Sequence, residues 1–380
     1  MKNHPLGLYI HIPYCIHKCG YCDFNSHPIK YDEMDKYVDA LMVEMNHYAK
    51  IYSSNKTIRT IFLGGGTPTT LAAYQLERIL KECHKNFKIE SSAEVTIEAN
   101  PATIDLEQLK SIRQAGYNRI SIGVQSFDKK ELKLLDRAHG PAEIHSTVDR
   151  AREAGFDNLS LDLMFAVPNQ SLSNWESNLR QALEKNPEHL STYNLTIEQG
   201  TAFAKLQANG KLTMPDDEHQ LELYKRTIEL LTNKGFHHYE ISNFAQPGKE
   251  SRHNITYWKN TNTLGLGAGA SSYMNGTRFK NIRLPAHYIR QVVDKQTAVE
   301  HSETLEPRQA MGETILLGLR LLKGINIDKF EKKFHVSFKN IFGNIISTLK
   351  EQELIMIEGD YLRLSKKGLF LADSVILEFI

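Results

Sequence analysis

Six short apolar runs, each separated from the next by a longer amphipathic stretch, set the architecture open to this 380-residue chain. They are LYIHI (8–12), TIFLG (60–64), EVTIEA (94–99), RISIGV (119–124), NLSLDLMF (158–165) and LSTYNLTI (190–197). Nearly continuous apolar runs of this length belong to strands covered on both faces, as in a parallel sheet. Between the first two, Met34, Tyr37, Val38, Leu41, Met45 and Tyr48 recur every three or four residues, one apolar face of a helix. Six strand–helix units predict an α/β fold over residues 1–200, a partial (β/α)6 TIM-like barrel with its chemistry at the C-terminal strand ends.

The remaining sequence changes character twice. Residues 201–300 read as an extension of the barrel: a helical stretch (218–232), a strand-like HHYEISNF (237–244), a polar loop QPGKESRHNITYWKN (246–260) and a glycine-rich GLGAGASSY (265–273). Residues 301–380 read as three helices, a hairpin LIMIEG–DYLRLS turning at Gly359, and a last helix, which is the order of a winged-helix-like domain. Over 302–380 the charges cancel, 11 Lys and Arg against 11 Asp and Glu, so the wing lacks the basic footprint of a nucleic-acid binder. A lid or docking module over the barrel mouth is the expectation. The whole chain carries a net charge of +1, which gives no global attraction to nucleic acid or to an anionic membrane. No window is apolar enough to span a bilayer and no apolar signal segment opens the sequence, so a cytoplasmic protein is expected, with peripheral membrane contact left open.

Three of the four cysteines fall within eight residues, in HIPYCIHKCGYCDF directly after the first strand. That places Cys15, Cys19 and Cys22 on one loop at the catalytic end of the barrel, spaced C-x3-C-x2-C. Three thiolates on one loop suit an iron–sulfur cubane and leave its fourth iron open. A zinc site that borrows His11 or His17 as a fourth ligand is the alternative. Cys83 sits in an amphipathic helix with Leu76, Ile79, Leu80 and Phe87, and reads as a small core residue.

Other strand ends are polar where burial would otherwise cost a few kcal/mol. Gly64, Gly65 and Gly66, then Thr67 and Pro68, close the second strand and allow backbone to approach a ligand. Glu98, Gln125 and Asp162 stand at or near the ends of strands three, four and five. One such residue is more often a satisfied core group; three on successive strands point to a shared ligand.

In its C-x3-C-x2-C loop, with Tyr21 before the last cysteine, the chain resembles the radical S-adenosylmethionine superfamily. In that family a 4Fe-4S cluster binds the methionine end of S-adenosylmethionine at its open iron, and electron donation yields a 5′-deoxyadenosyl radical. The motifs GGGTP, IEANP, SIGVQSF, DRAH and LSLDLMFAVP resemble, in order, those of the anaerobic coproporphyrinogen III dehydrogenase (oxidase) branch. The resemblance implies cofactor contacts from Tyr9, Tyr21, Gly65, Gly66, Thr67, Glu98, Gln125, Arg137 and Asp162, and an electron donor as partner. Ala166 and Asn169 depart from it, standing where the family has glycine.

That branch holds the dehydrogenase and a family of haem-binding chaperones. Phe24 occupies the position of a further cysteine in the dehydrogenase pattern, and only 14 residues precede Cys15, against a longer N-terminal region in the dehydrogenase. His253-Asn254-Ile255-Thr256-Tyr257-Trp258 matches the chaperones' HNxxYW motif. An imidazole can ligate haem iron and aromatic faces can cover a porphyrin, so His253, Asn254, Tyr257 and Trp258 are the expected haem contacts. The function implied is a haem chaperone that delivers haem to a respiratory haem protein. An oxygen-independent coproporphyrinogen III dehydrogenase is the alternative, and a plain iron–sulfur electron carrier fits such an extensive cofactor pocket poorly.

Overall fold

The computed structural model describes residues 4–53, 56–101 and 103–380. Its first half runs β1 (His4–Ile12), a short pair β2 (Tyr14–Cys15) and β3 (His27–Pro28), α1 (Tyr31–Tyr52), β4 (Lys56–Gly65), α2 (Ala73–Asn86), β5 (Ile89–Ala99), α3 (Leu106–Ala115) and β6 (Arg119–Gln125). It continues through α4 (Lys129–Leu134), α5 (Pro141–Glu153), β7 (Leu159–Phe165), α6 (Leu172–Glu184) and β8 (His189–Asn194). All six predicted runs are strands. They pair in sequence order, β1-β4-β5-β6-β7-β8, and every one of these ladders is parallel. Helices cover the outer face, which explains the apolar stripe of α1: Met34, Tyr37, Val38, Leu41, Met45 and Tyr48 are all buried.

The sheet does not end with six strands. Beyond β8 come α7 (Ala202–Ala208), α8 (Asp217–Asn233), β9 (His237–Glu240), β10 (Asn243–Ala245), α9 (Arg252–Trp258) and β11 (Thr263–Leu266). They are followed by β12 (Ser271–Met274), β13 (Thr277–Asn281), α10 (Pro285–Lys295) and β14 (Val299–Thr304). Strand β11 lies parallel to β1, and β12, β13 and β14 continue antiparallel from it, while β10 and β9 extend the other edge beyond β8. The result is a twelve-stranded sheet whose hydrophobic core runs from Leu6 to Ala298, so residues 201–300 share both sheet and core with the barrel. The single strand expected at 237–244 is a hairpin. The loop expected at 246–260 contains helix α9, whose N-terminus Ser251 caps by accepting from the Asn254 N–H at 3.3 Å. Aliphatic periodicity missed this helix because its buried face is made of His253 and Tyr257 rather than Leu or Ile.

The C-terminal unit has its own core, Met311 to Phe379. It comprises α11 (Pro307–Gly318), β15 (Ile325–Asn326), α12 (Ile327–Phe334), α13 (Phe338–Glu351), the hairpin β16 (Ile355–Glu358) and β17 (Tyr361–Leu364), α14 (Lys366–Leu369) and α15 (Ala372–Leu377). Gly359 turns the hairpin with φ +56°, and β15 joins β17 to make a three-stranded wing. This unit does not cover the barrel mouth. The Ile241 N–H donates to Arg320 O and the Leu322 N–H to Tyr239 O, both at 3.1 Å, and the Asn260 amide reaches Thr314 at 3.0 Å. Helix α9 and its flanks lie under the starts of the strands: Gly7 of β1 donates to Asn262 O, and Glu94 of β5 accepts from the backbone of Arg252 and His253. The wing unit therefore docks on helix α9 and along the β9–β10 edge of the sheet, where Trp258 and Ile241 give it apolar surface, and none of its residues lines the cysteine cavity.

Candidate cofactor site

The cysteine loop leaves β1 and is fastened at several points. β2 and β3 pair beside it, Lys18 Nζ donates to the carbonyls of Phe24 and Ser26 at 3.1 and 3.3 Å, and the Phe203 N–H of α7 donates to Gly20 O at 3.0 Å. Gly20 is required there, since a Cβ would stand 2.9 Å from the Phe203 ring. The Asn25 amide donates to Ala268 O and Arg283 O, both at 2.9 Å, tying the loop to the turn after β11 and to the segment after β13.

Cys15, Cys19 and Cys22 line one cavity of about 330 Å³ at the C-terminal strand ends. Thr67 Oγ1 lies 3.4 Å from Cys15 Sγ, and Arg137 donates to Cys19 Sγ and the Tyr21 hydroxyl, each at 3.4 Å. Burial pushes the Cys15 and Cys22 thiols up, so as thiolates they need compensating positive charge. Neither candidate histidine completes a zinc set. His11 accepts or donates at both nitrogens, to the Tyr9 hydroxyl at 2.9 Å and Asn25 O at 2.8 Å, and His17 pairs with Asp136 at 2.9 Å. Among the described residues, no three His, Cys, Asp or Glu side chains converge on a point that one ion could hold. A cubane takes its three thiolates on separate irons, so the donor set fits the cluster better than zinc. Cys83, fully buried in α2, is remote from this chemistry.

Eight of the nine expected cofactor contacts, Tyr21, Gly65, Gly66, Thr67, Glu98, Gln125, Arg137 and Asp162, line the same cavity. Tyr9 lines an adjoining one of about 620 Å³ that shares Gly65 and Glu98. Gly65 has φ +114°, and its N–H donates to Glu98 Oε2 at 3.1 Å; a Cβ there would collide with the His11 ring. Burial, and then the Asp162 charge, push the Glu98 carboxyl up to about 8. Asp162 is also raised by burial, although Ser121 Oγ donates to both its oxygens at 3.0 Å. Ala166 and Asn169 both adopt left-handed backbone, φ +58° and +63°, so the turn expected of glycine survives at both.

Residue patterns missed Asn100, Ser121 and Tyr193, which also line the cavity. Asn100 is central. It accepts from Arg137 at 2.5 Å and donates to Thr67 Oγ1 at 2.7 Å, linking three motifs. Its signal was a polar residue directly after a strand and before a proline.

The HNxxYW residues take a different place from the one expected. His253 is 1 % exposed; its Nδ1 meets Thr60 Oγ1 at 2.9 Å, its Nε2 meets the Tyr257 hydroxyl at 3.0 Å, and Phe62 stacks on the ring at 5.1 Å. Burial holds the imidazole neutral, lowered to about 3. With both nitrogens engaged, it offers no ligand to haem iron in this geometry. Tyr257 lines the larger cavity from below, and Trp258 lies under the Arg320 guanidinium at 4.5 Å. Asn254 lines a third cavity of about 180 Å³ inside the barrel, together with Glu98, Asp162, His189 and Arg119. Arg119 is 2 % exposed and its Nε has no hydrogen-bond partner. The motif is thus the floor of the barrel.

Residues 9–182 match the model of the radical SAM superfamily and residues 305–371 that of the HemN C-terminal domain. A protein named heme chaperone HemW from Lactococcus lactis is 36% identical over 380 residues, 100% of this chain and 98% of its own length. Its namesake from Bacillus subtilis is 38% identical over 374 residues, 98% of each chain. The solved structure of the coproporphyrinogen III oxidase HemN from Escherichia coli, titled a radical SAM enzyme, is similar with a TM-score of 0.86 at 26% identity, covering 99% of this chain and 90% of that one.

Proposed function

Since the chain belongs to the radical SAM superfamily and, within it, to the heme chaperone HemW family, we propose that it binds haem and hands it to an acceptor haem protein. The observation that carries this reading is the likeness to two heme chaperones along essentially the whole chain, at 36% and 38% identity, against 26% for the oxidase. Phe24 on the cysteine loop, in place of a further cysteine, supports it.

Cys15, Cys19 and Cys22 would hold the 4Fe-4S cluster, which when bound supplies an open iron and one-electron chemistry to S-adenosylmethionine. This chain's own groups do the positioning. The glycine turn at 64–66 brings backbone close to the ligand, Glu98 and Asp162 accept hydrogen bonds from it, and Arg137, braced by Asn100, balances the thiolate charge beside Cys19. A reducing compartment suits four free cysteines, and among the described residues no helix is long and apolar enough to cross a membrane. An electron donor and a respiratory acceptor protein are the partners proposed with this role.

The test is anaerobic incubation of cluster-reconstituted protein, in parallel, with haem and with coproporphyrinogen III under a low-potential reductant. A Soret band that saturates with haem, and no porphyrin product, is expected. Catalytic conversion of coproporphyrinogen III without haem uptake would transfer the assignment to the oxidase.

A further inference from the structure

The haem reading does not fix where the porphyrin sits, and His253 has both ring nitrogens engaged, with only Tyr257 of its motif facing the 620 Å³ cavity. That cavity adjoins the cofactor cavity and has the size of an ordinary small-molecule site, roughly 300–1,000 Å³. Its outer wall carries two cations, Lys280 at the end of β13 and Arg283 just after it, both exposed and neither with a side-chain hydrogen bond or ion pair among the described residues. On the cysteine loop, Phe24 presents an aromatic ring that is 66 % exposed. The ring stands on the rim shared by this cavity and the cofactor cavity.

The charge distribution across the cavity is asymmetric. Glu98 and the Tyr9 and Tyr257 rings form the inner wall, and Asp23 stands on the rim near Phe24. A ligand with carboxylates at one edge and a flat apolar body would be turned with its carboxylates toward β13 and its face toward Phe24. Haem has that form. The wall holds no free imidazole, because both His11 nitrogens are engaged.

We propose that this cavity is the haem site, with Lys280 and Arg283 holding the two propionates and Phe24 covering one porphyrin face. The inference rests on the haem reading above. Held by its propionates, haem keeps its iron uncommitted by this wall and ready for the acceptor's ligand. The strand edge that supplies both cations is tied to the cysteine loop through Asn25, which donates to Arg283 O, so haem would sit against the cluster loop itself.

The test is a haem titration of cluster-reconstituted, full-length protein carrying Lys280→Glu with Arg283→Glu. A matched charge reversal on the outer helices, Lys36→Glu with Lys81→Glu, serves as control, and the cluster absorbance of each variant reports folding. The site variant should bind haem at least about tenfold more weakly, about 1.4 kcal/mol, while the control binds as the wild type does. Haem dimethyl ester, which lacks the charged carboxylates, should bind the wild type about as weakly as the site variant binds haem, and charge reversal should not weaken it further. Equal haem affinity in the wild type and the site variant, or an equal loss in the control, would overturn the site but leave haem binding intact. A wild type that takes up no haem would overturn the haem reading itself, and this site with it.

Discussion

Glu98 of β5 and Asp162 of β7 face each other across the strand that carries Arg119, so two carboxylates and one guanidinium share the barrel interior. Glu98 is raised to about 8 from an ordinary value near 4.5, so the folded protein holds its proton more tightly than the unfolded chain does. The stability it contributes is present below about pH 4.5 and is lost as pH rises through 8. Glu98→Gln should therefore match the cofactor-free wild type in thermal denaturation at acid pH and exceed it above pH 8, while binding S-adenosylmethionine more weakly. Equal melting curves at both extremes would show that Glu98 titrates normally. The cysteines divide just as sharply. Ser in place of Cys15, Cys19 or Cys22 should abolish iron and sulfide uptake on anaerobic reconstitution. Cys83→Ser should keep the cluster and lose roughly 1–3 kcal/mol of stability, from a hydroxyl buried among Leu76, Ile79 and Leu80.

Helix α9 joins two links, local sequence and barrel packing. Its His253 fills space between Thr60, Phe62 and Tyr257, so His253→Ala should leave a cavity and two unpaired hydroxyls. A loss of roughly 2–4 kcal/mol is expected in urea denaturation, with haem affinity nearly unchanged in the protein that remains folded. A selective loss of haem without destabilisation would return the motif to the role first expected of it. The sequence was legible wherever burial was aliphatic. The six barrel strands, α1, α8 and the wing hairpin all lie where period and turn residues placed them, and every expected cofactor contact reaches one of two adjoining cavities. It misled where burial was polar. HNxxYW carries the residues of a metal or porphyrin site, but hydrogen bonds to Thr60 and Glu94, 193 and 159 positions away, bury its histidine at the barrel floor. No local pattern encodes such partners. The same reason hid Asn100, whose role depends on Thr67 after β4 and on Arg137 between α4 and α5.

At the scale of the whole molecule, the wing unit and the barrel meet through Arg320, which lies 3.7 Å from the buried Glu240 and covers Trp258. Arg320→Ala should cost about 2–3 kcal/mol, less than the 3–5 of a fully buried pair, because the arginine is 27 % exposed. Protection of the Trp258 indole from fluorescence quenchers should fall with it; unchanged quenching would mean that other contacts hold the interface. No residue of the wing unit lines the cofactor cavity, so its removal should not by itself open that cavity. The seat of β1 has a consequence in time. Its neighbour β11 arrives more than 250 residues later in the chain, pairing Gly7 with Thr263 and Ile10 with Leu266. During synthesis β1, paired with β4 on one side, must wait with its other edge open, the state most exposed to wrong partners. The loop that follows it waits longer still, since Asn25 finds its two carbonyls only once residues 268 and 283 have left the ribosome. Nascent chains stalled at residue 260 should therefore take up iron and sulfide poorly, and chains stalled with residue 304 exposed should take them up well. Metal loading would wait for the twelve-stranded sheet to close, with only the wing unit still to be made.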